Sequence, residues 1–358
     1  MNNDTFVVIM AGGIGSRFWP ISRTNFPKQF HDVLGTGETM LQMTLKRFED
    51  ICPTENIFVV TNKDYEHLVK EQLPQLSDNQ ILLEPVGRNT APCIAYASYK
   101  IAQINPDANL IVTPSDHVVL KQEAFNQVIC TALDAAASDN VLITLGITPS
   151  RPDTGYGYIQ FIADGDQPIK KVKTFTEKPN LELAQMFLNS GDFVWNSGIF
   201  IWNVQSILRA FRQHLPEVSE IFEEGGSKYN TAEESNFITK AYSHCRNISI
   251  DYGIMEKVDN VYVVLSDIGW SDLGTWNSLY TISNKDESDN VVDGDVMLYD
   301  TKNCIIKTPK NRLVVLQGLE GFIVAEHDNV LMICKLDEEQ KVKEFTADAK
   351  YKKGQNYI

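Results

Sequence analysis

The stretch Ala11-Gly12-Gly13-Ile14-Gly15-Ser16-Arg17 sets closely spaced glycines beside a hydroxyl and a guanidinium, and Pro27-Lys28 follows shortly after. Residues without Cβ atoms let a backbone turn tightly and aim its N–H groups at the oxygens of an anion. Arg17 adds a planar cation suited to phosphate, and Lys28 a compact point charge. A second candidate lies at Thr113-Pro114-Ser115-Asp116-His117. An aspartate at a strand end can hold Mg²⁺, which keeps several waters and takes one or two carboxylates together with phosphate oxygens. The same Asp116 could instead cap the next turn. His117 is read as structural.

Two familiar phosphate loops are excluded. The dinucleotide fingerprint needs a third glycine where this chain has Phe18, and the Walker A sequence Gly-Lys-Ser/Thr is absent. The glycine stretch follows Thr5 to Met10, an apolar run that reads as a buried strand. Further strands are expected at 57–61, 80–84, 109–113 and 141–145. Helices are expected at 38–50, 64–73, 91–104 (capped by Asn89) and 123–137. This alternation implies βαβ units, a parallel sheet and helices on both faces, with ligands beyond the carboxyl ends of the strands. The glycine loop, Glu84 to Pro92 and Pro114 to His117 all begin at such ends. From Ser150 the pattern loosens, with strands at 158–162, 172–177 and 198–202 and helices at 181–188 and 204–211. A polar run at 283–289 marks a boundary, and short strands from Val296 to Ile333 read as a small all-β module resembling a few turns of a β-helix.

The chain has 358 residues, enough for two domains, and 43% hydrophobic residues, enough for a sizeable core. A net charge of −15 argues against nucleic acid and anionic membrane as partners, but not against a small phosphate ligand that needs only local cations. There is no basic leader and no long apolar segment. Cys52, Cys93, Cys130, Cys245, Cys304 and Cys334 show no metal-binding spacing and fit a reducing cytoplasm.

The glycine loop with Arg17 and Pro27-Lys28 resembles the nucleotide-binding loop of the sugar-nucleotide pyrophosphorylases, and the extension Phe18 to Arg23 resembles their mannose-1-phosphate guanylyltransferase branch. The resemblance continues through Glu84 to Pro92, Asp116, Gly155 to Tyr158, Thr176 to Pro179, Trp195 to Gly198, Ile250 to Lys257 and Gly269 to Trp276. It implies a Rossmann-like, GT-A-like α/β domain over residues 1–283, built on a mixed, mostly parallel sheet. A β-helix-like module over 284–358 would follow. It implies a nucleotide site at Ala11, Gly12, Gly13, Gly15, Ser16, Arg17, Glu84, Gly87, Arg88, Asn89, Thr90, Ala91, Pro114 and Asp116. A sugar-phosphate site would comprise Gly157, Glu177, Lys178, Asn196 and Asp251, with Asp251 equally readable as a helix cap. Asp116 and Asp272 would hold Mg²⁺, with Mn²⁺ able to substitute, and Arg17, Lys28 and Asp116 would be catalytic.

The implied reaction joins GTP and mannose 1-phosphate to give GDP-mannose and pyrophosphate. It needs no Ser-His-Asp or Cys-His constellation, because a sugar phosphate is already anionic near neutral pH, its second pKa being about 6. Positioning and charge neutralisation carry the rest. Guanine presents N1–H and N2–H₂ donors on one edge that a carboxylate such as Glu84 could accept. Two carboxylates brought together at Asp116 and Asp272 should repel, leaving one with a raised pKa or the pair splayed. The rivals are another sugar 1-phosphate or nucleotide, a sugar-nucleotide-binding regulator without turnover, and a nicotinamide dehydrogenase, which Phe18 disfavours. Intact Arg17, Lys28, Asp116 and Asp272 disfavour the regulator. A homodimer is left open.

Overall fold

The computed structural model describes residues 3–165 and 167–358. The chain folds into two compact units. The first contains the N-terminal stretch through Gly12, then Thr44–Ser115 and Val119–Trp270; the second contains Gly13–Met43, Asp116–Val118 and Ser271–Ile358.

The first unit is built on a nine-stranded sheet. Its strands are β1 (Thr5–Met10), β2 (Ile57–Asn62), β3 (Ile81–Glu84), β4 (Asn109–Pro114), β5 (Leu142–Ile147), β6 (Gly157–Phe161), β7 (Ile169–Glu177), β8 (Phe193–Asn203) and β9 (Val261–Ser266). The order is β3-β2-β1-β4-β8-β5-β9-β7-β6, with β8 also pairing β6. The β3-β2-β1-β4 half is parallel, with Val8 opposite Phe58 on one side and Val112 on the other. The continuous Val/Ile runs expected of strands buried on both faces are present. Beyond β4 the sheet is mixed rather than mostly parallel. β8 enters antiparallel between β4 and β5, placing Trp202 opposite both Leu110 and Leu142.

Helix α1 (Thr90–Ile104) begins where expected, its first N–H accepted by Asn89 Oδ1 at 2.9 Å. The helices at 122–138, 181–190 and 204–214 also match the expected periodicity, whereas those at 216–223 and 234–244 were not foreseen. Their apolar side chains, such as Phe222, Phe237 and Tyr242, join the first unit's core, but their exposed faces break the pattern with charge. Strand β9 was likewise missed.

Within this core Lys100 and Glu234 form a buried ion pair, Nζ lying 2.7 and 2.8 Å from the two carboxylate oxygens. Tyr96 Oη donates to the same carboxylate at 2.6 Å and the Asn230 N–H at 2.6 Å.

In the second unit β10 (Val291–Asp293), β12 (Ile305–Lys307) and β14 (Phe322–His327) form a parallel ladder, and β15 (Val330–Lys335) folds back antiparallel. β11 (Asp295–Tyr299) pairs parallel with β13 (Leu313–Gln317). Val291, Ile305 and Ile323 stack at one register, the repetition that makes a β-helix-like coil. Phe18, Trp19, Val118, Leu273 and Trp276 share an apolar cluster with these rungs, and the Phe18 and Trp276 rings lie 5.2 Å apart. A C-terminal helix over Val342–Lys353 went unforeseen because its apolar stripe is thin: Val342, Phe345 and Ala349. Among the described residues no helix is long and apolar enough to cross a membrane.

Removing one partner of a buried pair leaves an uncompensated charge, at about 3–5 kcal/mol. Glu234→Gln should therefore lower unfolding free energy in urea by that order. Lys100→Met combined with Glu234→Leu should recover most of the loss. Equal stability of Glu234→Gln and wild type would show that the pair is idle.

Candidate active site

Gly13, Ile14 and Gly15 follow strand β1 without regular structure, and the chain then makes a single 3₁₀ turn at Ser16–Phe18. The carbonyls of this loop are tied inward. Gln29 Nε2 donates to Gly13 O at 2.9 Å, the Lys28 N–H to Ile14 O at 3.3 Å, and the Ser22 hydroxyl to the same Ile14 carbonyl. Among the described residues no acceptor meets the N–H groups of Gly13, Ile14 and Gly15. Gly15 has φ +70°, and a Cβ there would come within 2.7 Å of Lys28 Cβ, so the position requires glycine on both counts.

Lys28 is almost fully buried, and its ammonium uses all three donors within the protein. It lies 2.8 Å from Asp116 Oδ2 and donates to the backbone carbonyls of Asp272 at 3.0 Å and Leu273 at 2.9 Å. One cation thus gathers the glycine-loop segment, the Asp116 segment and the turn bearing Asp272. Burial pushes the Asp116 carboxyl up, but Lys28 and His117 outweigh this and hold it below the ordinary range. Of the two outcomes expected for these aspartates, a raised pKa does not occur at Asp116, because Lys28 compensates its charge. Lys28 thus addresses Asp116 directly, and would have to exchange a partner to touch a phosphate.

Asp272 Oδ1 accepts the Gly274 N–H at 2.9 Å. A Cβ on Gly274 would collide with Asp272 Oδ2 and stand 2.8 Å from Arg17 Nη2, so the guanidinium and this carboxylate crowd the same point. No group of three or more His, Cys, Asp or Glu side chains among the described residues could hold a metal alone. Lys28 joins the two aspartates by the carboxylate of Asp116 and the backbone carbonyl of Asp272.

In the first unit two further clusters form. Glu84 ends β3, is buried, and accepts the Tyr242 hydroxyl at 3.0 Å. Its Oε2 lies 2.9 Å from where a Cβ on Gly12 would stand. Arg88 Nε donates to Tyr242 O at 3.2 Å, and the Thr90 hydroxyl accepts the Ile250 N–H at 2.9 Å. The Ala91 N–H bonds Ile248 O at 3.1 Å, while Gly87 has open space around it. The Glu84 to Ala91 motif is therefore stitched to the 242–250 segment. Ala11 is buried beside β2, Gly12 and Ser16 are exposed, and Pro114 closes β4.

The expected sugar cluster also comes together. Gly157 pairs with Glu177 across β6 and β7, and a Cβ at Gly157 would collide with Glu177 Oε2. Lys178 Nζ meets Glu177 Oε1 at 2.6 Å. Asn196 Nδ2 donates to Asp251 Oδ1 at 3.0 Å, and its Oδ1 accepts Thr144 Oγ1 at 3.0 Å. Asp251 opens a π-helical turn, and its carboxylate faces Asn196 rather than capping a helix. Burial, then repulsion from Glu177, raises its carboxyl to about 7. Tyr242 was missed because 158 positions separate it from Glu84. Arg151, which stacks over Trp195 at 5.2 Å and Tyr156 at 5.8 Å, stood near a quoted motif without being singled out.

Burial raises the Glu84 carboxyl to about 7, with the Tyr242 hydroxyl pulling it back. The folded protein holds this proton where the unfolded chain has released it. The stability it contributes is present below the unfolded value near 4.5 and is lost as pH rises through about 7. Wild type should thus lose on the order of 2–3 kcal/mol more than Glu84→Gln between about pH 5 and about pH 8. Parallel pH profiles of unfolding for the two proteins would contradict this.

A nucleotidyl transferase family model matches residues 6–289, and a MannoseP isomerase/GMP-like beta-helix domain matches 294–347. Mannose-1-phosphate guanylyltransferase of Escherichia coli is 36% identical over 354 residues, covering 96% of this chain and 75% of that protein. The xanthan biosynthesis protein XanB of Xanthomonas campestris is 38% identical, covering 97% and 74%. The crystal structure of mannose-1-phosphate geranyltransferase from Thermus thermophilus superimposes with a TM-score of 0.88 at 32% identity, covering 97% of this chain and 99% of that one. With these matches running through both units, the chain belongs to the mannose-1-phosphate guanylyltransferase family of nucleotidyl transferases.

Proposed function

We propose that this chain transfers GMP from GTP to mannose 1-phosphate, releasing pyrophosphate and GDP-mannose. The observation that carries the reading is a chain-long family match together with a glycine loop whose N–H groups have no acceptor among the described residues, beside gathered Arg17, Lys28, Asp116 and Asp272. A phosphate oxygen of mannose 1-phosphate attacks the α-phosphorus of GTP. The bond from that phosphorus to the bridging oxygen breaks, and pyrophosphate leaves with the electron pair.

The loop N–H groups and Arg17 are suited to the charge that develops on the phosphates. Asp116 and Asp272 would hold a divalent ion, Mg²⁺ or Mn²⁺, which would neutralise phosphate charge when bound. Lys28 keeps Asp116 ionised and in place. Glu84, fixed by Tyr242, offers a carboxylate to the N–H edge of guanine, with Arg88 to Ala91 shaping the same region. Asn196, Glu177 and Asp251 supply the acceptors and donors that sugar hydroxyls need, and Lys178 meets the sugar's phosphate.

Pyrophosphate release should be measured over the four nucleoside triphosphates and several sugar 1-phosphates. GTP with mannose 1-phosphate should give the highest kcat/KM, and a different best pair would replace the proposed substrates. In Glu84→Gln the GTP-over-ATP preference should fall at least about tenfold, because a buried polar pairing is worth about 1–3 kcal/mol. An unchanged ratio would move base reading to the backbone.

Chelation with EDTA should abolish turnover, and Mg²⁺ or Mn²⁺ should restore it. Asp116→Asn, Asp272→Asn and Arg17→Ala should each lower kcat by about 10²–10³-fold with smaller changes in KM for the sugar phosphate. Full turnover in EDTA would rule out the metal.

A further inference from the structure

Arg23 lies in the glycine-loop segment but points away from it, and it is buried. Its guanidinium makes contacts of another kind. Nη2 donates to His327 O at 2.7 Å; Nη1 donates to Asn329 Oδ1 at 2.9 Å and to Asn356 O at 3.3 Å; Nε donates to Pro20 O at 3.2 Å. Asp328 stands 4.0 Å away. Trp19 Nε1 adds a bond to Tyr357 O at 2.6 Å. The turn joining β14 to β15 and the last residues of the chain are thereby fastened to Trp19-Pro20-Arg23.

That fastening reaches the phosphate loop in short steps. Arg23 and Phe26 exchange backbone hydrogen bonds at 3.1 and 3.2 Å, closing the turn that delivers Pro27 and Lys28. His31, on the far side of Lys28, contacts Phe26 O through Nε2 at 3.0 Å, and its ring packs 5.2 Å from that of His327. Burial lowers the His31 pKa to about 4, so the ring is neutral at neutral pH and Nε2–H donates to the Phe26 carbonyl. Lys28 thus sits in a segment held on either side by the β14–β15 turn. Phe18, between Arg17 and Trp19, lies under the Lys28 ammonium at 5.4 Å.

We propose that Arg23 is a positioning residue for guanylyl transfer: it straps the Lys28-bearing segment to the 327–329 turn and the 356–357 backbone, and so makes the C-terminal module a working part of the phosphate-binding machinery. Arginine is needed because a rigid fork of five donors can serve several divergent carbonyl acceptors at once, which an ammonium on a flexible stem cannot. This inference rests on the proposed transfer reaction for its kinetic arm and on geometry alone for its structural arm.

The test compares wild type, Arg23→Gln, Arg23→Lys and Asn329→Ala as full chains, by steady-state kinetics and by amide hydrogen exchange. In Arg23→Gln kcat should fall by about 10–100-fold, the size of a misplacement near 1 Å. KM for mannose 1-phosphate should stay within about threefold, since Glu177, Asn196 and Asp251 belong to the first unit and the strap to the second. Arg23→Lys should not rescue kcat, because the charge returns without the fork. Exchange should quicken across residues 13–31 and 325–331 while 84–104 keeps wild-type protection, a split that general destabilisation would not produce. If Arg23→Gln fails to fold, Asn329→Ala should show the same split at smaller size.

Wild-type kcat in both Arg23→Gln and Asn329→Ala would overturn the proposal, as would quickening spread evenly over the chain or rescue by lysine. If wild type has no guanylyl transfer activity, the proposed reaction fails and the exchange pattern still decides the strap.

Discussion

The site depends on a single buried ammonium. Lysine is costly to bury, and it persists in a protein interior only when its charge is paired and each N–H has an acceptor. Lys28 meets that condition with one carboxylate and two carbonyls drawn from segments around residues 116 and 272. None of these acceptors can drift without stranding a charge, so the three segments are held in register. Gly15 is part of the same constraint, because only a residue without Cβ can lie against the lysine stem at a positive φ. Rigidity at this point suits a reaction whose chemistry is mostly placement of phosphates and neutralisation of their charge.

The carboxylates of the chain divide according to what stands beside them. Asp116 has a cation at 2.8 Å and stays ionised despite burial. Glu84 accepts a tyrosine hydroxyl and Asp251 an asparagine amide, and burial, joined at Asp251 by repulsion from Glu177, raises both to about 7. The first arrangement keeps a permanent negative charge beside Lys28. The second leaves acids that change protonation state around neutral pH. Identical functional groups thus differ in charge through their neighbours.

The β-helix-like coil contributes more than an appendage. Its ladder of short parallel strands gives a stiff frame, and the side chains along it meet Phe18, Trp19 and Trp276 in one apolar cluster. The glycine-loop residues from Gly13 onward therefore share a compact unit with the coil, although more than two hundred positions separate them in the chain.

Local chemistry made much of this legible beforehand. The Thr5–Met10 run read as a buried strand, the glycines after it as a loop able to turn tightly, and Asn89 as the cap of α1, because each signal is carried by adjacent residues. The motif residues at 84–91, 116, 177–178 and 196 could be named as candidates for the same reason. The resemblance grouped distant residues such as Asn196 and Asp251, but the sequence was silent on which side chains would bond to which. That Lys28 would turn inward to Asp116, that Tyr242 would hold Glu84, that Asp251 would face Asn196 and that Arg23 would reach His327 and Asn329 are all decided by how the strands stack. The sheet's order was equally hidden: β8 slips antiparallel between β4 and β5 because its apolar face fits there, and periodicity records that a strand is buried but not against which neighbours. Spacing along a chain reports what a segment can become, whereas burial and charge compensation, which set the pKa values and the partners, exist only once the chain has closed on itself.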